Sequence, residues 1–283
     1  MNNSGYDLFG NKIITNPLLR SKFIEPPFSI LNAGSGSWQK RKRQWKTIGI
    51  QSELGRNVKL FDMVRYNFGQ STDVSIFDPA LCEVLYHWFC SSDGFILDPF
   101  AGGSVRGIVA AYLGYKYLGI DIREEQVEHN KIQAKDILEN PSDAHWVTGD
   151  SDKVLNELDE VFDFVFSCPP YHNLEKYSDL DGDISNMTYE DFLESYQSII
   201  NKSCRKLKKG GFACFVVGEI RDKKGNYIGF VPDTIKAFQA AGMSFYNECI
   251  YSQALNSAPA RAAGNMKSKK LVKVHQNILI FKK

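Results

Sequence analysis

No apolar run in the 283 residues approaches the roughly 18 that a membrane-spanning helix needs. The opening residues, MNNSGYDLFGNKII, have no basic stretch followed by an apolar core, so no secretory leader is expected. Six cysteines (Cys82, Cys90, Cys168, Cys204, Cys214, Cys249) include no C-x-x-C pair, which argues against structural zinc. Most of them lie among apolar neighbours, as reduced core thiols do, and a cytoplasmic protein without disulfides or bound metal is expected. An excess of either charge is missing too: Lys and Arg total 34 and Asp and Glu 33, for a net charge of +1. Only local clustering can then point to a nucleic-acid partner. There is no internal repeat and no long low-complexity tract.

What is present is an ordinary folded composition, 43% hydrophobic and 24% charged. Residues 1–70 show little periodicity and read as a basic N-terminal extension. Residues 71–283 alternate helical and strand patterns. Helices are predicted over 80–90, 105–114, 124–138, 189–207 and 231–242, the fourth ending at the pair Gly210 and Gly211. Strands are predicted over 94–100, 116–122, 144–150, 161–169 and 212–220. The last two, 243–251 and 274–283, have no helix predicted between them. The stretch VFDFVFSCP is apolar on both faces, as a central parallel strand is. These patterns predict an α/β fold, a doubly wound, mostly parallel sheet with an antiparallel edge hairpin.

The predicted strand ends carry the chemistry. The first runs into Asp98-Pro99-Phe100-Ala101-Gly102-Gly103-Ser104, a glycine turn before a helix, where ligands sit in such sheets. The glycines let backbone N–H groups approach a ligand closely. Asp98 would repel a pyrophosphate and attract an ammonium, so the turn suits a zwitterionic amino acid better than a dinucleotide. A tight turn with no ligand is the plainer reading. Asp121 closes the second strand, where a carboxylate typically grips ribose hydroxyls, and Asp150 closes the third. Each acid alone reads more simply as a helix N-cap; three at successive strand ends argue for a shared pocket. The fourth strand ends in Ser167-Cys168-Pro169-Pro170-Tyr171. Two prolines there fix a rigid turn with unpaired carbonyls beside an aromatic ring, able to hold a planar group with an exocyclic amine.

These motifs, VSIFDP, LDPFAGGS, GIDI, TGD, SCPPY and HQNILIFKK in that order, resemble those of the DNA amino-methyltransferases. That family uses S-adenosylmethionine to methylate N6 of adenine or N4 of cytosine. The resemblance covers residues 72–283 and implies a class I methyltransferase domain, Rossmann-like in its layers. The whole chain, SWQKRKRQWKTIGIQSELGR included, is also similar to methylases carried by bacteriophages and prophages. By that resemblance Phe77 and Asp78 lie beside the cofactor's methionine part, and Asp98 through Ser104 form the loop around it. Asp121, with Ile122 beside it in GIDI, meets the ribose and Asp150 the adenine. Cys168, Pro169, Pro170 and Tyr171 form the catalytic segment. Cys168 departs from the Asp, Asn or Ser usual in the family, and a catalytic thiolate is the alternative role for it.

Two acid-free basic stretches are candidates for gripping double-stranded DNA. One is Trp38–Lys46, with Lys40, Arg41, Lys42 and Arg43; a solvated helix face with buried tryptophans is the competing reading. The other is 254–273, with Arg261, Lys267, Lys269 and Lys270, which reads as a mobile loop that orders on DNA. Recognition would come from loops, from the first 70 residues or from a second subunit of a homodimer. The acidic run Asp179–Asp183 reads as a lid over the target pocket, not as a calcium loop. The functions in competition are DNA methylation, methylation of RNA or of a protein glutamine, and DNA binding by a relative that has lost catalysis.

Overall fold

A computed structural model describes residues 17–50, 77–171, 182–253, 255 and 258–283. Its centre is an eight-stranded sheet of order β1-β7-β8-β6-β5-β2-β3-β4. The strands are β1 (Ile30–Asn32), β2 (Phe95–Asp98), β3 (Lys116–Asp121), β4 (Ala144–Thr148), β5 (Phe162–Ser167), β6 (Leu207–Val217), β7 (Ser244–Ser252) and β8 (His275–Lys282). β8 runs antiparallel to both β6 and β7, and every other pairing is parallel. The parallel sheet with an antiparallel hairpin is as expected, and β1 closes the outer side of β7.

Side-chain alternation assigns the two faces. On β6, Cys214 and Val216 point to one core with Phe164 and Phe166, while Ala213, Phe215 and Val217 point to the other with Val165. Helices α2 (Gly36–Thr47), α3 (Pro79–Phe89), α4 (Val105–Tyr112) and α5 (Glu124–Ile137) cover the first face. The second is covered by α6 (Ser151–Glu157), α7 (Tyr189–Lys206) and α8 (Phe230–Ala240). Before them α1 (Pro17–Phe23) leads into the sheet, and α9 (Ala258–Lys267) connects β7 to β8. Capping fixes several helix starts. Asp78 accepts from the Ala80 N–H at α3, Asp150 from Asp152 at α6, and Thr188 from Asp191 at α7.

Three expectations are corrected. The glycine pair after α7 does not stop a segment: β6 begins at Leu207, and Gly210, at φ +78°, sits where the register to β5 shifts. A glycine in the left-handed region lets a strand carry a bulge and continue. Helix α6 follows β4 without a gap for a loop, because Asp150 caps it directly. Residue 70 does not separate an appendage from a domain. β1 pairs with β7 (Ile30 opposite Ile250), and Leu31, Trp38 and Trp45 are buried in the same core as α3 and α4. Among the described residues no helix is long and apolar enough to cross a membrane, and all six cysteines are free thiols.

If α2 belongs to the core, Trp38→Ala lowers the unfolding free energy by about 3–5 kcal/mol, the usual cost of emptying a buried Trp site. Urea denaturation measures it; a loss under about 1 kcal/mol would make α2 a surface attachment.

Candidate active site

A cleft of about 740 Å³ opens at the carboxyl ends of β2, β3, β4 and β5. Gly102 and Gly103 line it beside Asp121, Ile122 and Asp150, and the turn from Cys168 to Tyr171 forms another wall. Phe77 and Asp78, Pro99 and Phe100 complete the placement of the expected residues around one cavity.

Asp98, Ala101 and Ser104 are different: each is fully buried and none lines the cleft. The Asp98 carboxylate is spent internally. One oxygen accepts from Arg106 Nε at 2.5 Å and the Tyr117 hydroxyl at 2.7 Å, the other from the Ser167 hydroxyl at 2.6 Å and the Phe100 N–H at 3.2 Å. Arg106 also donates to the carbonyls of Phe100 and Ala101, at 2.6 and 2.7 Å. Its guanidinium lies 4.7 Å over the Phe77 ring. Burial alone would ease its proton off, but Asp98 more than offsets this and holds the guanidinium charged. The carboxylate expected to meet an ammonium therefore anchors the turn from beneath.

Asp121 keeps an open side. Gly102 N–H donates to one oxygen and Arg123 N–H to the other, both at 2.9 Å. Burial raises its pKa above the ordinary carboxylate value, while Arg123 and the two N–H groups oppose that rise. With four acceptor positions and two donors, the carboxylate retains capacity for a diol. The Gly102 carbonyl is held by Asn130 at 2.7 Å, and Gly102 itself adopts φ +51°. One oxygen of Asp150 caps α6; the other lies on the cleft side, next to Gly182 and 3.7 Å from Lys153. Ile122 and Ile184 add apolar walls there.

At the other wall Tyr171 is held at both ends. Its ring packs edge-on to Phe230 with centroids 6.0 Å apart, and Gln276 of β8 donates to its hydroxyl at 2.8 Å. Nearby Lys273 is half-buried, and loss of solvent lowers its pKa although Glu219 opposes the shift. Of the acidic run, residues 179–181 lie outside the described residues. Among the described ones, no three His, Cys, Asp or Glu side chains group to hold a metal.

The first basic stretch is split. On α2, Arg41 pairs with Glu83 at 2.6 Å and Lys42 with Asp78 at 3.1 Å, so these two face α3. Lys40 and Arg43 are exposed. In the second stretch, α9 replaces the expected loop. Arg261, Lys267 and Lys269 are exposed, Lys270 is half-buried, and none has an ion pair among the described residues.

With a glycine turn, two open carboxylates and a Pro-Pro-Tyr corner around one cleft, comparison with known proteins decides the kinship. Residues 162–283 match the DNA methylase family. That stretch holds SCPPY and HQNILIFKK, and it bears out the resemblance read from them. No curated protein matches the chain. Among solved structures, TrmN of Thermus thermophilus aligns at 13% identity and TM-score 0.47, over 72% of this chain and 48% of that one. The chain thus spans about half the length of that protein. A SAM-dependent methyltransferase of Methanosarcina mazei aligns at 15% identity and TM-score 0.46, over 70% and 96%. A second Thermus thermophilus protein, provisionally named a DNA modification methylase, aligns at 22% and 0.36, over 48% and 50%.

Sequence reasoning missed Arg106, Gln276, Ser167 and the Asp78 partners. Only Arg106 left a signal: a lone charge in the apolar helix VRGIVAAY. Removing Asp98 strands that charge. Asp98→Ala is expected to cost about 3–5 kcal/mol of stability, the usual result of breaking a buried ion pair from one side. Chemical denaturation at neutral pH reads it, and unchanged stability would show Arg106 compensated elsewhere.

Proposed function

We propose that the protein transfers a methyl group from S-adenosylmethionine to the exocyclic amine of a base flipped out of double-stranded DNA, N6 of adenine or N4 of cytosine. The observation that carries this reading is the Pro169-Pro170-Tyr171 corner. It opens onto the same cleft as Asp121 and Asp150 and lies within the stretch matching the DNA methylase family.

The donor groups fit the cofactor. Asp121 has acceptor capacity for ribose hydroxyls. Asp150, Ile122 and Ile184 offer an acceptor between apolar walls for adenine, and Gly102 and Gly103 let the chain pass close to the methionine part. When bound, the cofactor supplies a methyl carbon activated by a positive sulfonium leaving group. The protein positions the acceptor. Tyr171, fixed by Gln276 and Phe230, offers its ring to the base. Carbonyls of Cys168 and Pro169 accept the amine hydrogens and turn the nitrogen lone pair toward the methyl carbon. The nitrogen–carbon bond forms as the carbon–sulfur bond breaks, and the amine proton leaves to solvent. Rate enhancement comes mainly from this alignment.

Tritium transfer from labelled cofactor to duplex DNA tests the reading. Transfer to RNA or to protein glutamine instead would replace the acceptor, and transfer to nothing, with DNA bound, would identify a binding protein. Within the reading, Tyr171→Ala abolishes transfer while cofactor affinity stays near wild type, since stacking is worth roughly 1–3 kcal/mol per base. Asp121→Ala does the reverse, weakening cofactor binding by about 1.5–3 kcal/mol in calorimetry.

DNA contact is assigned to Arg261, Lys267, Lys269 and Lys270 around α9, together with Lys40 and Arg43. Neutralising Lys267, Lys269 and Lys270 together should weaken binding to all duplexes alike. It should also flatten the slope of log affinity against log salt by roughly 0.9 for each phosphate no longer neutralised. A salt titration with unchanged slope would place the DNA elsewhere.

A further inference from the structure

The inner face of α2 brings two lysines to the cofactor cleft. Lys42 and Lys46 stand one turn apart and both line the cavity that Gly102, Gly103 and Asp121 line. Their position is fixed from below. Trp38, on the same helix, donates to Asp78 at 3.1 Å, and Tyr251 of β7 donates to the same carboxylate oxygen at 2.6 Å. Lys42 reaches that oxygen too, at 3.1 Å, and Lys46 has no ion pair among the described residues.

Other groups at this end of the cleft are committed. Arg106 is matched by Asp98. Ahead of α4, Gly102 N–H is spent on Asp121, and the Ser104 hydroxyl donates to Gln133. The cleft is therefore polarised: Asp121 and Asp150 sit at one end and the α2 lysines at the other. Such a cavity suits a ligand with hydroxyl and amine donors at one end and an anion at the other.

We infer that Lys42 and Lys46 bind the amino-acid carboxylate of the cofactor, so that the N-terminal segment is part of the cofactor site and not only of the DNA grip. This rests on the reading of the cleft as an S-adenosylmethionine site. Lys42 holds the carboxylate from its seat on Asp78, and Lys46 closes over it from the next turn. A DNA phosphate is the other anion that two lysines could meet, and the test separates the two.

Calorimetry on the full chain would use S-adenosylhomocysteine and its 3-aminopropylthio analogue, which lacks only the carboxylate. Wild type is expected to bind the analogue more weakly. Lys42→Met and Lys46→Met, which keep the apolar stem, should each weaken S-adenosylhomocysteine about tenfold or more and leave the analogue nearly unchanged. Lys42→Arg should restore most of the loss. Lys46 is exposed, so its variant tests the idea even if Lys42→Met unfolds. Equal weakening of both ligands would mean a change in cleft shape and would overturn the inference. So would intact S-adenosylhomocysteine binding with weakened duplex affinity, which would assign the lysines to phosphate. Wild type binding neither ligand would overturn the cofactor reading and this inference with it, whereas wild-type binding with unchanged variants overturns the inference alone.

Discussion

Asp98 and Arg106 form an ion pair with almost no exposed surface, at the point where β2 turns into α4. Two buried charges are costly to desolvate, and the pair is tolerated because every valence nearby is used. Tyr117 from β3 and Ser167 from β5 donate to the carboxylate, and the guanidinium ties the carbonyls of the glycine turn. Three adjacent strand ends are thus fastened to one carboxylate. The shape of the cleft above follows from it: Gly102 is carried toward Asp121, and the Cys168–Tyr171 corner starts from the residue bonded to Asp98.

A second carboxylate does the same at the front of the cleft. Asp78 caps α3, and its other oxygen gathers Trp38, Lys42 and Tyr251. Helix α2, helix α3 and strand β7 meet there, and Glu83 repeats the arrangement one turn along α3 with Trp45 and Arg41. Acids that look like ligand groups in the sequence serve as joints. The groups left to a ligand are those whose hydrogen-bonding capacity is only half used, Asp121 above all.

Much of this was legible in the residues. Strand ends at Asp98, Asp121 and Ser167 followed from apolar runs broken by acid, glycine or proline, and they landed where the sheet requires. The N-cap reading of Asp150 was visible as well, and it holds alongside its place in the cleft. Illegible were pairings over long sequence distances. Nothing in WQKRKRQW says that its tryptophans would find acids some 40 residues on, since a basic helix face looks the same whether it meets phosphate or carboxylate. The bulge at Gly210 was hidden for a related reason, because a glycine pair ends a helix as readily as it bends a strand.

The three residues of β1 have a consequence for how the chain is made. Ile30 lies opposite Ile250, so the strand that finishes the sheet is synthesised among the first and finds its neighbour among the last. On the ribosome, α2 can settle against α3 early, while β1 waits for β7 to emerge. Contacts of such separation close slowly, and until this one forms the far side of β7 remains open to pairing with another chain. Nascent-chain crowding, not the finished fold, is then the condition under which this protein is most exposed to misassembly.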